Sequence, residues 1–147
     1  MELKQLMADF CQDYGIDLIE PNEEGIVTLA INQDSVRLHL QEHKGYLVLF
    51  TQIGILPEDI TVSQLKQILG ANYFWLGTKG FTISLSSEND MLIASRQDAM
   101  EVVHYEGFAA MIEAAVEVVE HWRKVMADGF KSVESQAPQP DATTMMV

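Results

Sequence analysis

Val27-Thr28-Leu29-Ala30-Ile31, Asn32-Gln33-Asp34-Ser35 and Val36-Arg37-Leu38-His39-Leu40-Gln41 follow one another in the chain. In the first and third pieces, apolar residues alternate with polar or small ones. That is the two-residue period of a strand buried on one face. The piece between them is turn chemistry, so the three together predict a β-hairpin. Lys44-Gly45 marks a second turn. Tyr46-Leu47-Val48-Leu49-Phe50 is then apolar on both faces, as a central strand would be. Residues 27–50 therefore read as a three-stranded antiparallel meander.

Upstream, the period changes. Leu3, Leu6, Met7, Phe10 and Tyr14 fall on one stripe of a helix over Glu2–Tyr14, with Gly15 as its C-terminal cap. Cys11 lies beside Met7 and Tyr14 at helical spacing and reads as a small packed hydrophobe. Downstream, Pro57-Glu58-Asp59 ends the strand region. Thr61 and Gln64 fit a capping box, which predicts a helix over Val62–Ala71 carrying Leu65, Ile68 and Leu69. Asn72-Tyr73-Phe74-Trp75-Leu76 is aromatic-rich. Phe81, Ile83 and Leu85 alternate as a fourth strand, and Met91-Leu92-Ile93-Ala94 form a fifth. Tyr105, Phe108, Ile112, Ala115, Val119, Trp122 and Met126 repeat at three-four spacing in a long final helix. Met111, Val118 and Val125 widen its apolar stripe, so it needs more than one neighbour. The fold class is α+β, in the order α-β-β-β-α-β-β-α, with an antiparallel twisted sheet and helices packed against it. Residues 1–130 form one domain, and 131–147 read as a disordered tail.

Composition narrows the function. The 147 residues carry 9 Lys and Arg against 22 Asp and Glu, a net charge of −13, and include one cysteine. Such acidity disfavours phosphate backbones and anionic membrane surfaces. One cysteine excludes an internal disulfide framework and paired zinc-binding thiols. The N-terminus shows no apolar signal segment, and no apolar run approaches the ~20 residues of a membrane helix. These features predict a soluble intracellular acidic domain.

The chemical motifs are weak. His39-Leu40-Gln41-Glu42-His43 has the letters of an inverted zinc-protease motif, but that chemistry needs one helix face. Here the letters end a strand, where Glu42 points away from both histidines. Glu117 and His121 are spaced i, i+4, yet a carboxylate metal site needs a second Glu-x-x-His copy. Gly77-Thr78-Lys79-Gly80 leads into a strand, not a helix N-terminus, so a phosphate cradle is not expected. No catalytic residue, cofactor or metal is predicted. The apolar cluster Leu65, Ile68, Leu69, Tyr73, Phe74, Trp75, Phe81 and Ile83 reads either as core or as a dimer seam.

The element order also meets specific letters. Gln67-Ile68-Leu69-Gly70-Ala71-Asn72-Tyr73-Phe74 resembles the L-L-x-A-N segment of the Tir chaperone (CesT) family, the class I chaperones of bacterial type III secretion. Ile53-Gly54-Ile55-Leu56-Pro57 resembles the family's end of the third strand. Thr78 to Leu85 resembles its glycine and alternating strand, and Met91-Leu92-Ile93 its next strand. Phe108 and His121-Trp122-Arg123 resemble its closing helix. The resemblance spans roughly residues 1–127; Ser95 to Tyr105 departs from the family's usual loop. It implies a bacterial cytoplasmic homodimer that binds the N-terminal segment of secreted effectors and serves the secretion ATPase, without enzymatic activity. On this resemblance, peptide pockets are expected at Val27, Leu29, Ile31, Val36 and Leu38. The dimer seam is expected at Leu65, Ile68, Leu69, Phe81 and Ile83. Plain core packing is the rival reading for each of these residues.

Overall fold

A computed structural model describes residues 2–130. The elements are α1 (Leu3–Tyr14), β1 (Val27–Ile31), β2 (Val36–His43), β3 (Tyr46–Ile55), α2 (Val62–Ala71), β4 (Thr82–Ser86), β5 (Met91–Ala99) and α3 (Tyr105–Ala127). Short 3₁₀ turns lie at Tyr73–Trp75 and Met100–Val102. The strands form one antiparallel sheet in the order β1-β2-β3-β5-β4. The expected tail, 131–147, lies outside the described residues.

The alternation predicted for residues 27–41 is met in register. Leu29 opposes Leu38, and Val27 opposes Leu40. These side chains share one face with Leu49, Thr51, Leu92, Ala94 and Ile83, all buried. The other face carries Thr28, His39, Phe50, Ser95 and Thr82 in one cross-strand row. α3 roofs the buried face, touching β2, β3 and β5, and α1 packs against α3. The wide stripe of α3 thus finds the several neighbours it requires. Two edges of that roof are tied by phenols. The Tyr14 hydroxyl donates to Glu113 at 2.9 Å, and the Tyr105 hydroxyl donates to Asp13 at 2.8 Å. Desolvation and the Asp13 carboxylate push the Tyr105 phenol up to about 12.

Two strands run further than their apolar letters. β3 continues to Ile55 and β5 to Ala99, because β3–β5 pairing extends from Ile55–Met91 to Tyr46–Ala99. Ser95–Ala99, where the sequence departs from the family pattern, is therefore regular strand. A register shift between Gln52 and Gly54 bends β3. Arg123 on α3 answers that bend. Its Nε donates to the Ile53 carbonyl at 2.7 Å, and its two terminal nitrogens reach the Ser35 and Gln52 carbonyls. A rigid guanidinium fork suits such a cluster of acceptors.

Candidate protein-interaction surfaces

The capping box at Thr61 forms as expected: the Thr61 hydroxyl accepts from the Gln64 amide, and the Gln64 side chain accepts from the Thr61 amide. It starts α2 beside β4. The helix turns one side inward and the other out. Ile68 is 4% exposed and Leu69 is 68% exposed, although they are neighbours in sequence.

The chain then makes a tight aromatic turn. Asn72 sits in it as a surrogate strand. Its amide donates to the Ile83 carbonyl at 2.9 Å, and its side-chain oxygen accepts from the Ile83 amide at 2.8 Å. β4 is an edge strand. The carboxamide has the donor and acceptor of a peptide group, so it closes part of that edge. Phe74 and Trp75 follow with φ of +49° and +57°. Two bulky L-residues in the left-handed region cost of order 1–3 kcal/mol each. The turn is held from several sides. The Trp75 indole donates to Thr82 at 3.0 Å, and the Gly77 amide donates to the Ala71 carbonyl. A Cβ on Gly77 would sit 3.1 Å from that same carbonyl oxygen, so glycine lets the turn close.

The result is an open groove of about 560 Å³ lined by Leu69, Gly70, Asn72, Tyr73, Phe74 and Trp75. Tyr73 and Phe74 meet edge to face, and Leu76 stands exposed beside them. The largest apolar patch on a protein surface is often an interaction site.

The second surface is the opposite sheet edge. β1 pairs only with β2, so its far side is free within the sheet. Next to it on the outer face, His39 stacks on Phe50 at 5.0 Å and shares a 3.0 Å hydrogen bond with Thr28. Desolvation, helped by nearby Arg37, holds the His39 imidazole below its ordinary range.

The expected site residues divide. Of the pocket set, Val27, Leu29, Val36 and Leu38 lie in the core and only Ile31 is half-buried. The reason is the roof: the apolar face of the hairpin is the face that α1 and α3 cover. Of the seam set, Leu69 is exposed and Leu65 half-buried, while Ile68, Phe81 and Ile83 are buried inside the protomer. Arg96 also stacks over Phe81, 5.6 Å from the ring centre, while it pairs with Asp98. These three residues support the surface from behind and do not line it. Asn72 was missed as an edge cap, since a local sequence pattern does not show which strand a carboxamide will meet. The unbroken aromatic run at 73–75 was the available signal for the exposed patch.

The zinc-protease letters do not converge. Glu42 turns to α1, accepting from the Leu3 amide at 3.4 Å, while His39 lies on the outer face. Glu117 pairs with Lys79. Among the described residues, no group of three His, Cys, Asp or Glu side chains is placed to hold a metal. No described helix is long and apolar enough to cross a membrane.

The model of the Tir chaperone protein (CesT) family matches residues 5–123. The chain belongs to the CesT family. It is a family of chaperones, not of enzymes. Solved structures share the fold. The ExsC–ExsE complex aligns at TM-score 0.68 and 19% identity, covering 85% of this chain and 96% of that one. The Yersinia pestis type III secretion chaperone SycH, in complex with a stable fragment of YscM2, aligns at TM-score 0.65 and 24% identity, covering 80% and 97%. YbjN, a candidate transcription regulator from E. coli, aligns at TM-score 0.57 and 18% identity, covering 88% and 94%. No curated protein matches the chain in sequence.

Proposed function

We propose that this CesT-family protein is a class I type III secretion chaperone. It acts in the bacterial cytoplasm as a homodimer that binds the N-terminal segment of one or more effectors. It keeps that segment soluble and presents it to the secretion ATPase, without cofactor or catalysis of its own. The observation that carries this reading is the family match across residues 5–123. The SycH structure, a type III secretion chaperone in complex with a fragment of YscM2, supports it.

The surfaces suit the task. An extended effector segment adds along the free side of β1, where backbone groups supply hydrogen bonds and Ile31 offers a half-buried contact. Val27, Leu29, Val36 and Leu38 hold that edge in shape from within the core. The dimer forms through the outward side of α2, with Leu69 and Leu65 at the contact and Ile68, Phe81 and Ile83 behind them. Ordering a long client segment costs free energy, so a wide contact is needed.

Co-expression with candidate effectors from the same genome, followed by pull-down and light scattering, tests the reading. The expected result is a particle of twice the 16.5 kDa chain that retains an effector's N-terminal segment. A monomer that retains none overturns it. A second reading, a regulator or adaptor of the same fold without a secretion client, draws on the YbjN likeness. A stable dimer that captures no effector, from a locus without a neighbouring effector gene, favours that alternative.

A further inference from the structure

We infer that His39, stacked on Phe50 one strand in from the free β1 edge, makes client capture proton-dependent: the complex forms with neutral His39 and loosens as that imidazole takes a proton. The inference rests on the chaperone reading and deepens it, naming a control on the client edge.

The first observation is position. On the outer face, β1 presents only Thr28 and Ala30, both small. Neighbouring strands lie ~4.8 Å apart. A side chain of an added strand that lies across these two residues reaches the His39–Phe50 stack. His39 is already half-buried, and its Nδ1 shares a hydrogen bond with the Thr28 hydroxyl of β1. A client laid there removes water that an imidazolium needs more than a neutral imidazole does.

The second observation is the company His39 keeps. The chain has 22 Asp and Glu, yet this face offers His39 no carboxylate from its neighbouring strands. β1 holds no titratable residue, and β3 holds only Tyr46, at its far end. β5 holds Arg96 and Asp98, which pair with each other on the other face, where Arg96 lies over buried Phe81. On β2 itself, Glu42 turns to α1 and His43 stands at the strand's end. Arg37 is the nearby charge, and two hydrogen bonds from it occupy Asp34 in the preceding turn. Before β1, the Glu24 carbonyl accepts from Gln41. A proton on His39 thus adds a second cation beside Arg37, and no carboxylate of β1, β3 or β5 shares their face. Desolvation and Arg37 already disfavour the charged form in the free chain.

Linkage gives the sign. A client that covers this stack binds the neutral form better than the charged one. Capture therefore releases a proton, and affinity falls as pH falls through the titration of His39.

Isothermal titration calorimetry of the full chain tests this, with the effector N-terminal segment retained in the co-expression pull-down as the probe. Wild type, His39→Gln and His39→Lys are titrated between about pH 7.5 and about pH 5.5, in two buffers of different ionisation enthalpy. The wild-type dissociation constant should rise at least about threefold over that range, with about half a proton released at the lower end. His39→Gln, whose carboxamide keeps a partner for Thr28, should lose most of that rise. His39→Lys carries the charge throughout and should bind at about pH 7.5 as weakly as wild type does at about pH 5.5. Equal pH dependence in wild type and His39→Gln, or tighter wild-type binding at the lower pH, overturns the proton control and leaves the chaperone reading standing. If the variants unfold, the wild type decides alone, and capture without proton release overturns the control equally. A wild type that retains no effector segment at any of these pH values overturns the chaperone reading, and the control with it.

Discussion

Asn72 and Arg123 show how much of this protein rests on single polar side chains meeting backbone. Each satisfies peptide groups that lack a strand or helix partner where they lie. Removing the Asn72 carboxamide leaves the part-buried Ile83 amide and carbonyl unpaired. Asn72→Ala should therefore lower stability by about 1–3 kcal/mol, read from the denaturant midpoint at unchanged slope. Arg123→Lys keeps the charge but loses the fork, and it should cost a similar amount. Histidines add a pH dependence. Desolvation lowers the folded-state affinity of His39 and His121 for a proton, with Arg37 and Lys124 as lesser causes. Their contribution to stability is thus present above the unfolded value of 6.5 and is lost as pH falls below it through the lowered folded value. Unfolding midpoints measured from pH 7 down to about pH 5 should decline, and His39→Gln should remove part of that decline.

At the scale of the element, α2 is the instructive case. A helix of 10 residues with a formed capping box presents Ile68 to the core and Leu69 to the outside. Ile68→Ala should cost the protomer about 2–4 kcal/mol through lost burial and a cavity. Leu69→Asp should leave the fold within about 0.5 kcal/mol and weaken association, measured as unfolding midpoint and sedimentation respectively. If Leu69→Asp unfolds the chain outright, the outward side of α2 is misassigned. The long α3 needed no such test of orientation from sequence. Its apolar stripe from Phe108 to Trp122 was wide enough to demand more than one neighbour, and it packs on both the sheet and α1. α2, with its short apolar run, did not say which of Leu65, Ile68 and Leu69 would stay outside.

For the whole molecule, charge sets how copies and partners meet. Each chain carries −13, so two copies repel through solvent, and no charged side chain lines the groove at the end of α2. Raising ionic strength from about 0.01 M to about 0.15 M shortens the screening length from ~30 to ~8 Å. Self-association should tighten over that range. Capture of a basic effector segment should weaken, because its attraction to the acidic helices is screened. Fluorescence-detected sedimentation for the first and titration of an effector N-terminal peptide for the second would give slopes of opposite sign. A net charge of this size favours solubility in a chain that exposes an aromatic patch.

The alternation in residues 27–41, the turn at Lys44-Gly45 and the stripe of α3 are local periodic signals, and they specified the strands, the helices and their order. The ordered letters from Gln67 to Phe74 and from His121 to Arg123 also carried the family. Periodicity says that one face of an element is apolar. It does not say what covers that face. Val27, Leu29, Val36 and Leu38 became core only because α3 crosses the sheet above them, and Leu69 stayed outside only because α2 docks through Ile68. Ser95–Ala99 became strand because β3 was there to pair with it. Exposure, edge capping by Asn72 and the left-handed turn at Phe74 and Trp75 depend on contacts between residues far apart in the chain or on the packing of the whole, which no local pattern encodes.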